Sequence, residues 1–283
     1  MSIKLQNVNY IYGMGTGKEK QALSDINIEI NNGEFIGIAG HTGSGKSTLV
    51  QLLNGLERAT SGDIFYNGQN IYSKSYNMRN LRSKAGLVFQ YPEYQLFETT
   101  VINDVQFGPK NLGLPQLEVE LRSFNALKMC GIDDSLLDVS PFALSGGQKR
   151  RVAIAGVLAM QPEVLILDEP AAGLDPAGRD EILGLLKKLH NENNTTIILV
   201  SHSMEDIAAY VDRMVVMNKG KIVLDGKPEK VFQFEKELEQ IGLGVPQAAR
   251  IIHQLKDAGA DIKGEPVTTD ESIEAIYKWL KGF

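Results

Sequence analysis

The stretch that decides the fold is FIGIAGHTGSGKSTLVQLL, residues 35–53. Its first part, FIGIAG, is a short apolar run typical of a buried strand, and it enters a glycine-rich loop. From Lys46 onward, apolar residues recur on one face of a predicted helix. A helix that begins directly after such a loop offers free backbone amides and the positive end of its dipole to an anion. The stretch therefore predicts an α/β protein with an anion site at the end of a strand.

The loop itself, GHTGSGKST, fits the phosphate-loop pattern G-x-x-x-x-G-K-[ST]. In that pattern the glycines let backbone amides close around phosphates, Lys46 reaches the β and γ oxygens, and the Ser47 hydroxyl binds Mg²⁺. A plain glycine turn is the alternative, and the strand before the loop and the helix after it disfavour that alternative. The predicted ATP-binding residues are Gly40, His41, Thr42, Gly43, Ser44, Gly45, Lys46, Ser47 and Thr48.

Polar residues end three other predicted strands, where α/β proteins place active-site groups. VLILDE ends in Asp168, a predicted Mg²⁺ ligand, and Glu169, a predicted general base. TTIILVSH ends in His202, predicted to contact the γ-phosphate, and GLVFQ ends in Gln90, predicted to touch Mg²⁺ or the attacking water. Each residue alone also has a structural reading, as a strand-end acid, a packing histidine or a surface amide. The phosphate loop upstream favours the catalytic reading.

Composition bounds the class of protein. The 283 residues carry a net charge of -6, which gives no general reason to expect a nucleic-acid partner. The single cysteine, Cys130, excludes an intramolecular disulfide framework and is expected to be a buried apolar residue in a reducing compartment. The opening residues predict no signal peptide. Apolar runs such as IILV are far shorter than the roughly 18 residues of a membrane span.

The chain divides by pattern into segments of different style. Residues 1–35 alternate apolar and polar residues and predict antiparallel strands. Residues 91–160 are mostly helical in pattern, broken by prolines, and β/α alternation then resumes. The prolines are Pro92, Pro109, Pro115 and Pro141. Three short amphipathic helices are predicted after Gly226, at about 228–241, 246–258 and 269–280, the last with a capping box formed by Thr268 and Glu271.

LSGGQ, residues 144–148, is a second helix start that suits an anion but lacks the lysine and Mg²⁺ ligand of the first. The ordered set GHTGSGKST, Gln90, LSGGQ, LILDEP, AGLDP and His202 resembles the ATPase subunit of ABC transporters over residues 1–226. That resemblance implies that LSGGQ faces the ATP held by a second ATPase subunit. The residues that it assigns to this composite site are Ser145, Gly146, Gly147, Gln148 and, in the loop that helps assemble it, Asp175.

The same resemblance favours Tyr12 as the residue that stacks on adenine, although Tyr10 and Tyr12 also suit sheet packing. It implies a P-loop ATPase core with an antiparallel β-subdomain and a helical subdomain at about 91–160. Residues 227–283 are then a C-terminal helical appendage for dimerisation or regulation. The basic residues Lys149, Arg150 and Arg151 are expected to face solvent or the subunit interface.

Within the ABC ATPases, FQYPEYQLFETTVINDVQFGPKNLG and the long stretch from LSGGQKRR to AGLDP are similar to the A-subunits of energy-coupling factor transporters, the CbiO-type ATPases. Those import vitamins or transition-metal ions through a membrane T-subunit and a substrate-binding S-subunit. The resemblance implies that the segment after Gln90 shapes a groove for the T-subunit. Core packing is the alternative for Tyr91, Pro92, Leu96 and Phe97. One departure is Ala171, where many ABC ATPases have threonine, and it puts no catalytic residue in doubt.

The details of this segment resemble the second of two A-subunits, which favours a heterodimer over a homodimer. The expected location is the cytoplasmic face of the cell membrane, as a peripheral protein that touches the S-subunit only indirectly. An ATPase of another ABC importer or exporter is the main alternative. Soluble ABC ATPases of DNA repair or translation fit less well, because one cassette is present and only 53 residues separate Gln90 from Leu144. A P-loop kinase would have no use for LSGGQ.

Overall fold

The computed structural model describes residues 2–282. The strands are β1 Ile3–Tyr12, β2 Lys20–Ile30, β3 Phe35–Ala39, β4 Ser61–Tyr66, β5 Gln69–Asn70, β6 Ala85–Val88, β7 Val164–Asp168, β8 Thr196–Val200, β9 Arg213–Asn218 and β10 Lys221–Gly226. The helices are α1 Lys46–Asn54, α2 Met78–Lys84, α3 Val101–Leu112, α4 Gln116–Met129, α5 Gly146–Leu158, α6 Pro176–Asn193, α7 Met204–Tyr210, α8 Pro228–Val231, α9 Glu235–Gln240, α10 Gln247–Asp257 and α11 Thr269–Lys281. Short 3₁₀ turns cover Pro92–Gln95, Asp134–Leu136 and Pro141–Ala143.

A six-stranded sheet in the order β10-β9-β3-β8-β7-β6 forms the centre of the molecule. All neighbouring strands in it are parallel except β9 and β10, which form an antiparallel hairpin. The carboxyl ends of β3, β8, β7 and β6 therefore lie side by side at one edge of the sheet. Parallel α/β sheets place their ligands beyond this edge. The loops that leave these four strands carry the phosphate loop and the three polar strand ends predicted above.

Both faces of this sheet are buried, as parallel strands require. Alternate residues of β3 point to opposite sides, so that Phe35 belongs to one apolar core and Ile36 to the other. The first core is shared with the helices α3 to α7. The second is shared with α1 and with the antiparallel sheet β2-β1-β4-β5. The predicted α/β class, with an antiparallel β-subdomain, is confirmed.

The helical segment between β6 and β7 begins with the turn Pro92–Gln95 and ends with α5. Pro115 and Pro141 stand at the starts of elements, where their missing N–H costs nothing. Pro109, predicted to break a helix, instead lies inside α3 in its last turns and is buried. The prediction of a break was wrong there. The proline removes one ladder hydrogen bond, and burial of its apolar ring stabilises the helix in that position.

The C-terminal helices α8, α9 and α10 share the core of the central sheet. Phe232, Leu238 and Ala249 are fully buried in the same cluster as strand residues such as Met214. The helix predicted at 228–241 is divided into α8 and α9, because the chain turns at Phe232 and buries that ring. The capping box of Thr268 and Glu271 that starts α11 is confirmed. Within residues 2–282, no helix is both long and apolar enough to cross a membrane.

Candidate functional site

The phosphate loop joins β3 to α1 with backbone geometry that only glycine accepts without strain. Gly45 has φ 107°, and a Cβ there would lie 2.7 Å from the carbonyl oxygen of Ala22. Gly43 has φ 82° and opens onto free space. The first amides of α1 have no partner within the helix, as in every helix. The loop thus directs a set of N–H donors outward at the positive end of a helix dipole.

Lys46 lies at the bottom of this loop and is only 6% exposed. Its ammonium group donates hydrogen bonds to the carbonyl oxygens of Gly40, at 2.7 Å, and His41, at 3.2 Å. Burial lowers the pKa of Lys46, and the carboxylates of Glu169 and Asp168 oppose that shift. The cation is therefore held in place by the loop and faces two acids across the site.

Glu169, directly after β7, is held from both sides. Its Oε1 lies 2.5 Å from Nε2 of His202, and its Oε2 accepts a hydrogen bond of 3.0 Å from the side-chain amide of Gln90. Glu169 also has φ 52°, a left-handed conformation that is unusual for a residue with a side chain. The structure thus brings together the three residues predicted to be catalytic, although Gln90 and Glu169 are 79 positions apart in the chain.

A cavity of about 300 Å³ lies between the phosphate loop and this trio. Tyr12 stands at its rim, 40% exposed, with its hydroxyl 3.0 Å from Oγ1 of Thr48 and its ring edge-on to Tyr10. The predicted residues that line the cavity are Tyr12, Thr42, Gly43, Gly45, Lys46, Ser47, Thr48, Gln90, Glu169 and His202. Four predicted residues, Gly40, His41, Ser44 and Asp168, are not among those that line the cavity, and Asp168 is mostly buried at the end of β7. His41 is turned toward Asn218, 3.0 Å away.

The signature residues do not line this cavity. Ser145 caps α5 in a capping box with Gln148, accepting from its backbone N–H at 3.3 Å while its own N–H donates to the Gln148 side chain at 3.0 Å. A Cβ on Gly146 or Gly147 would meet nothing within 4 Å, so this helix start is open on its outer side. Asp175 caps α6 in a similar way. The second helix start that was predicted to bind an anion is therefore separate from the first.

Arg150 was expected to face solvent or an interface, and that expectation is wrong. It is 2% exposed and forms a bidentate ion pair with Glu93, at 3.1 and 2.7 Å. The sequence does carry a signal for this position, since Arg150 lies one helical turn before the fully buried Ile154. Arg151, by contrast, pairs with the exposed Glu181 at the surface.

A groove of about 450 Å³ opens beside the segment that follows Gln90. Phe97 and Phe107, which pack edge to face at 4.9 Å, form its exposed aromatic wall, and Ala153 and Gly156 of α5 and Met160 just beyond that helix also line it. Of the four residues for which coupling and core packing were alternatives, Pro92 and Leu96 are buried, whereas Tyr91 and Phe97 are exposed. Leu96 still reaches the base of the groove.

Four features together define an ATP-binding cassette, the ATPase of ABC transporters. They are a phosphate loop, a carboxylate at a strand end, a histidine just beyond the end of the adjacent strand, and a separate signature helix with an open start. Comparison with known proteins agrees. The family profile described as ABC transporter matches residues 23–172. A relative from Caldanaerobacter subterraneus, named energy-coupling factor transporter ATP-binding protein EcfA2, is 52% identical and the match covers 100% of this chain and 99% of that protein. A protein of the same name from Clostridium perfringens is 53% identical over 99% of both chains.

Solved structures agree as well. CbiO1 of Clostridium perfringens, described as part of the ABC transporter complex cbiONQ, superimposes with a TM-score of 0.75 at 43% identity, covering 90% of this chain and 98% of that one. The cassette MJ0796, solved as a dimer in a post-hydrolysis state with ADP and Pi, gives a TM-score of 0.71 at 30% identity, covering 80% and 98%. The chain belongs to the ABC transporter family, in its group of energy-coupling factor transporter ATP-binding proteins. The predicted family, fold class and ATPase activity are confirmed.

Proposed function

We propose that this chain is the ATP-hydrolysing subunit of an energy-coupling factor transporter, which drives uptake of a vitamin or a transition-metal ion through membrane partners. One observation carries the proposal: Gln90, at the cavity between the phosphate loop and Glu169, leads directly into the segment that lines an exposed aromatic groove, in a chain whose described residues include no membrane-spanning helix. An ATPase subunit that powers transport from outside the membrane needs a docking site for a protein that spans the membrane.

The residues at the cavity fit ATP and Mg²⁺. The amides of the loop 40–48 and the buried Lys46 suit the phosphates, and Tyr12 at the rim suits the adenine ring. Asp168, Ser47 and Gln90 would supply the oxygen ligands of Mg²⁺, an ion that would neutralise phosphate charge. Within residues 2–282 no cluster of three or more His, Cys, Asp or Glu side chains could hold a metal alone. The proposed ligands Asp168, Ser47 and Gln90 are few. This suits Mg²⁺, which takes only a few protein ligands beside those that the substrate supplies.

Glu169 is the proposed general base. Its carboxylate reaches the cavity wall and is oriented by His202 and Gln90, so that one oxygen can accept a proton from a water molecule. His202 lies 47% exposed beside it and is the proposed contact to the γ-phosphate. Gln90, one of these three residues, stands directly before the segment that borders the groove.

Ser145, Gly146, Gly147 and Gln148, together with the loop at Asp175, are proposed to complete the ATP site of a second ATPase subunit. Their separation from the chain's own cavity supports this arrangement. We favour a heterodimer, because the relatives are named EcfA2 and this numbered name indicates one of two A-subunits. The helices in 227–283 expose Ile273, Tyr277 and Leu280 along one side of α11 and are proposed to assist dimerisation or regulation.

The groove is the proposed docking site for a membrane T-subunit, through which a substrate-binding S-subunit is reached. This places the chain at the cytoplasmic face of the cell membrane as a peripheral subunit. The direct test is to isolate the intact complex from membranes, reconstitute it in vesicles and measure ATP-dependent uptake of vitamins and metal ions. Recovery of the chain without an integral membrane partner, or uptake that does not depend on ATP, would contradict the proposal.

A charge in the groove should release the membrane partner. We expect Phe97→Glu to weaken docking by about 30-fold or more, because aromatic anchors at interface centres typically contribute 2 kcal/mol or more. The measurement is co-purification of the membrane subunit, with ATP binding retained. Leu96 is a poor probe, because it is buried and a charge there would disturb the fold. Leu117→Glu on α4, 77% exposed and outside the groove, is the matched control and should retain the partner.

A further inference from the structure

The guanidinium group of Arg150 joins three separate segments of the chain. Its Nε and Nη2 donate to the two carboxylate oxygens of Glu93, at 3.1 and 2.7 Å. Its Nη1 donates to the carbonyl oxygens of Pro170, at 3.1 Å, and Ala172, at 2.7 Å. The side chain is 3% exposed, so these contacts replace water almost completely. A planar fork with several donors can make this set of bonds, whereas a lysine ammonium cannot.

Each of these three segments contains or adjoins residues with a proposed function. Arg150 itself is one turn into α5, the helix that begins with the signature residues. Glu93 lies in the turn Pro92–Gln95, between Gln90 and the groove-lining residues Leu96 and Phe97. Pro170 and Ala172 lie between Glu169 and Asp175. A side chain on the signature helix therefore contacts both the segment that leads to the groove and the loop that follows the proposed general base.

The backbone at these contacts is held in an unusual conformation. Tyr91 and Glu169 have φ 53° and 52°, both left-handed. Residues with side chains keep such angles only where their surroundings enforce them. Arg150 lies 5.9 Å above the ring of Tyr91 and binds the carbonyl of Pro170, next to Glu169. The same side chain thus braces both left-handed positions, and Gln90, the residue before Tyr91, donates a hydrogen bond of 3.0 Å to Glu169.

We propose that Arg150 is a positioning residue that links occupation of the groove to the ATP sites. A partner that presses on Phe97 moves the turn that carries Glu93, and the ion pair transmits this movement to α5 and to the loop at Glu169. The inference rests on the proposed function of the groove. It predicts that loss of Arg150 separates ATP hydrolysis from the membrane partner more than it reduces hydrolysis itself.

The test compares ATP hydrolysis by the isolated ATPase dimer with hydrolysis by the complete complex in vesicles. For Arg150→Gln we expect the KM for ATP of the dimer to stay within about threefold of the unaltered protein, and basal hydrolysis to fall by less than its acceleration does. The acceleration of hydrolysis by the membrane subunits, and uptake with it, should fall by about tenfold, a typical size for coupling between two sites. Arg150→Lys should recover only part of this, because it keeps the charge but not the fork.

The matched control is Arg122→Gln. Arg122 is also paired with a glutamate in the helical segment, but its partner Glu118 is on the same helix, α4, and neither residue is among the described residues that line the groove. This variant should keep both basal hydrolysis and its acceleration. Equal proportional losses of basal and accelerated hydrolysis in Arg150→Gln would mean that Arg150 only supports the fold, and would overturn the proposal.

Removal of Arg150 leaves the carboxylate of Glu93 largely buried without its partner, which can prevent folding. The double variant Arg150→Gln with Glu93→Gln removes both charges and keeps the experiment decisive. We expect it to assemble and to be as poorly coupled as Arg150→Gln. Normal acceleration in the double variant would overturn the proposal. If the unaltered complex itself shows no acceleration by membrane subunits, the proposed function fails, and the inference fails with it.

Discussion

Glu169→Gln should retain ATP binding and lose steady-state hydrolysis by about 10²–10⁴-fold, the usual contribution of a positioned general base. The substitution keeps the shape of the side chain and removes only its capacity to take a proton. The amide oxygen of the new glutamine can still accept the hydrogen bond from Gln90, and its amino group then faces Nε2 of His202. The measurement is steady-state phosphate release together with direct nucleotide binding.

The matched control is Glu163→Gln, immediately before β7 and at the far end of that strand from Glu169. Glu163 pairs with Lys84 at the surface, and both side chains are more than a third exposed. Loss of that pair is expected to leave hydrolysis unchanged, because exposed ion pairs contribute little. If Glu169→Gln instead weakened ATP binding and kept its turnover, the carboxylate would be a ligand for nucleotide rather than a base.

The sequence carries most of the fold and the site because both are encoded locally. A strand, a glycine loop and a helix follow one another in residues 35–54, and the loop pattern itself requires glycine at Gly45. The strand-end residues Glu169 and His202 were found because parallel strands align their carboxyl ends. Their contact at 2.5 Å follows from the sheet order, in which β7 and β8 are neighbours. That order is a tertiary property, and no pattern in the sequence states it.

The features that the sequence did not reveal depend on contacts between residues that are far apart in the chain. Arg150 sits in a run of basic residues that suggests a solvated helix face, and its partner Glu93 is 57 positions away. Only the packing of α5 against the turn Pro92–Gln95 makes the pair. The division of the helix predicted at 228–241 has the same origin. Its periodicity is helical throughout, but Phe232 is drawn into a core shared with the central sheet.

The largest effect on assembly is expected from two variants combined in this one chain and paired with an unaltered partner ATPase. Lys46→Ala removes the buried cation of the phosphate loop. Gly147→Arg blocks the signature, and it should not disturb the fold, since a Cβ there would meet nothing within 4 Å and the cap at Ser145 is kept. If the signature serves the partner's ATP, each single variant spoils one composite site and leaves the other whole.

The double variant then has no intact site, and ATP-driven closure of the dimer should be lost altogether. If the signature instead acted on the ATP of its own chain, both changes would fall on the same site. The double variant would then behave like either single one, with the partner's site intact. The measurement is occlusion of a slowly hydrolysed ATP analogue, with closure followed by crosslinking across the interface. Retention of closure in the double variant, at the level of the single variants, would contradict the shared arrangement. In a homodimer the same logic is tested by mixing, because a Lys46→Ala chain and a Gly147→Arg chain together rebuild one complete site only if the sites are shared.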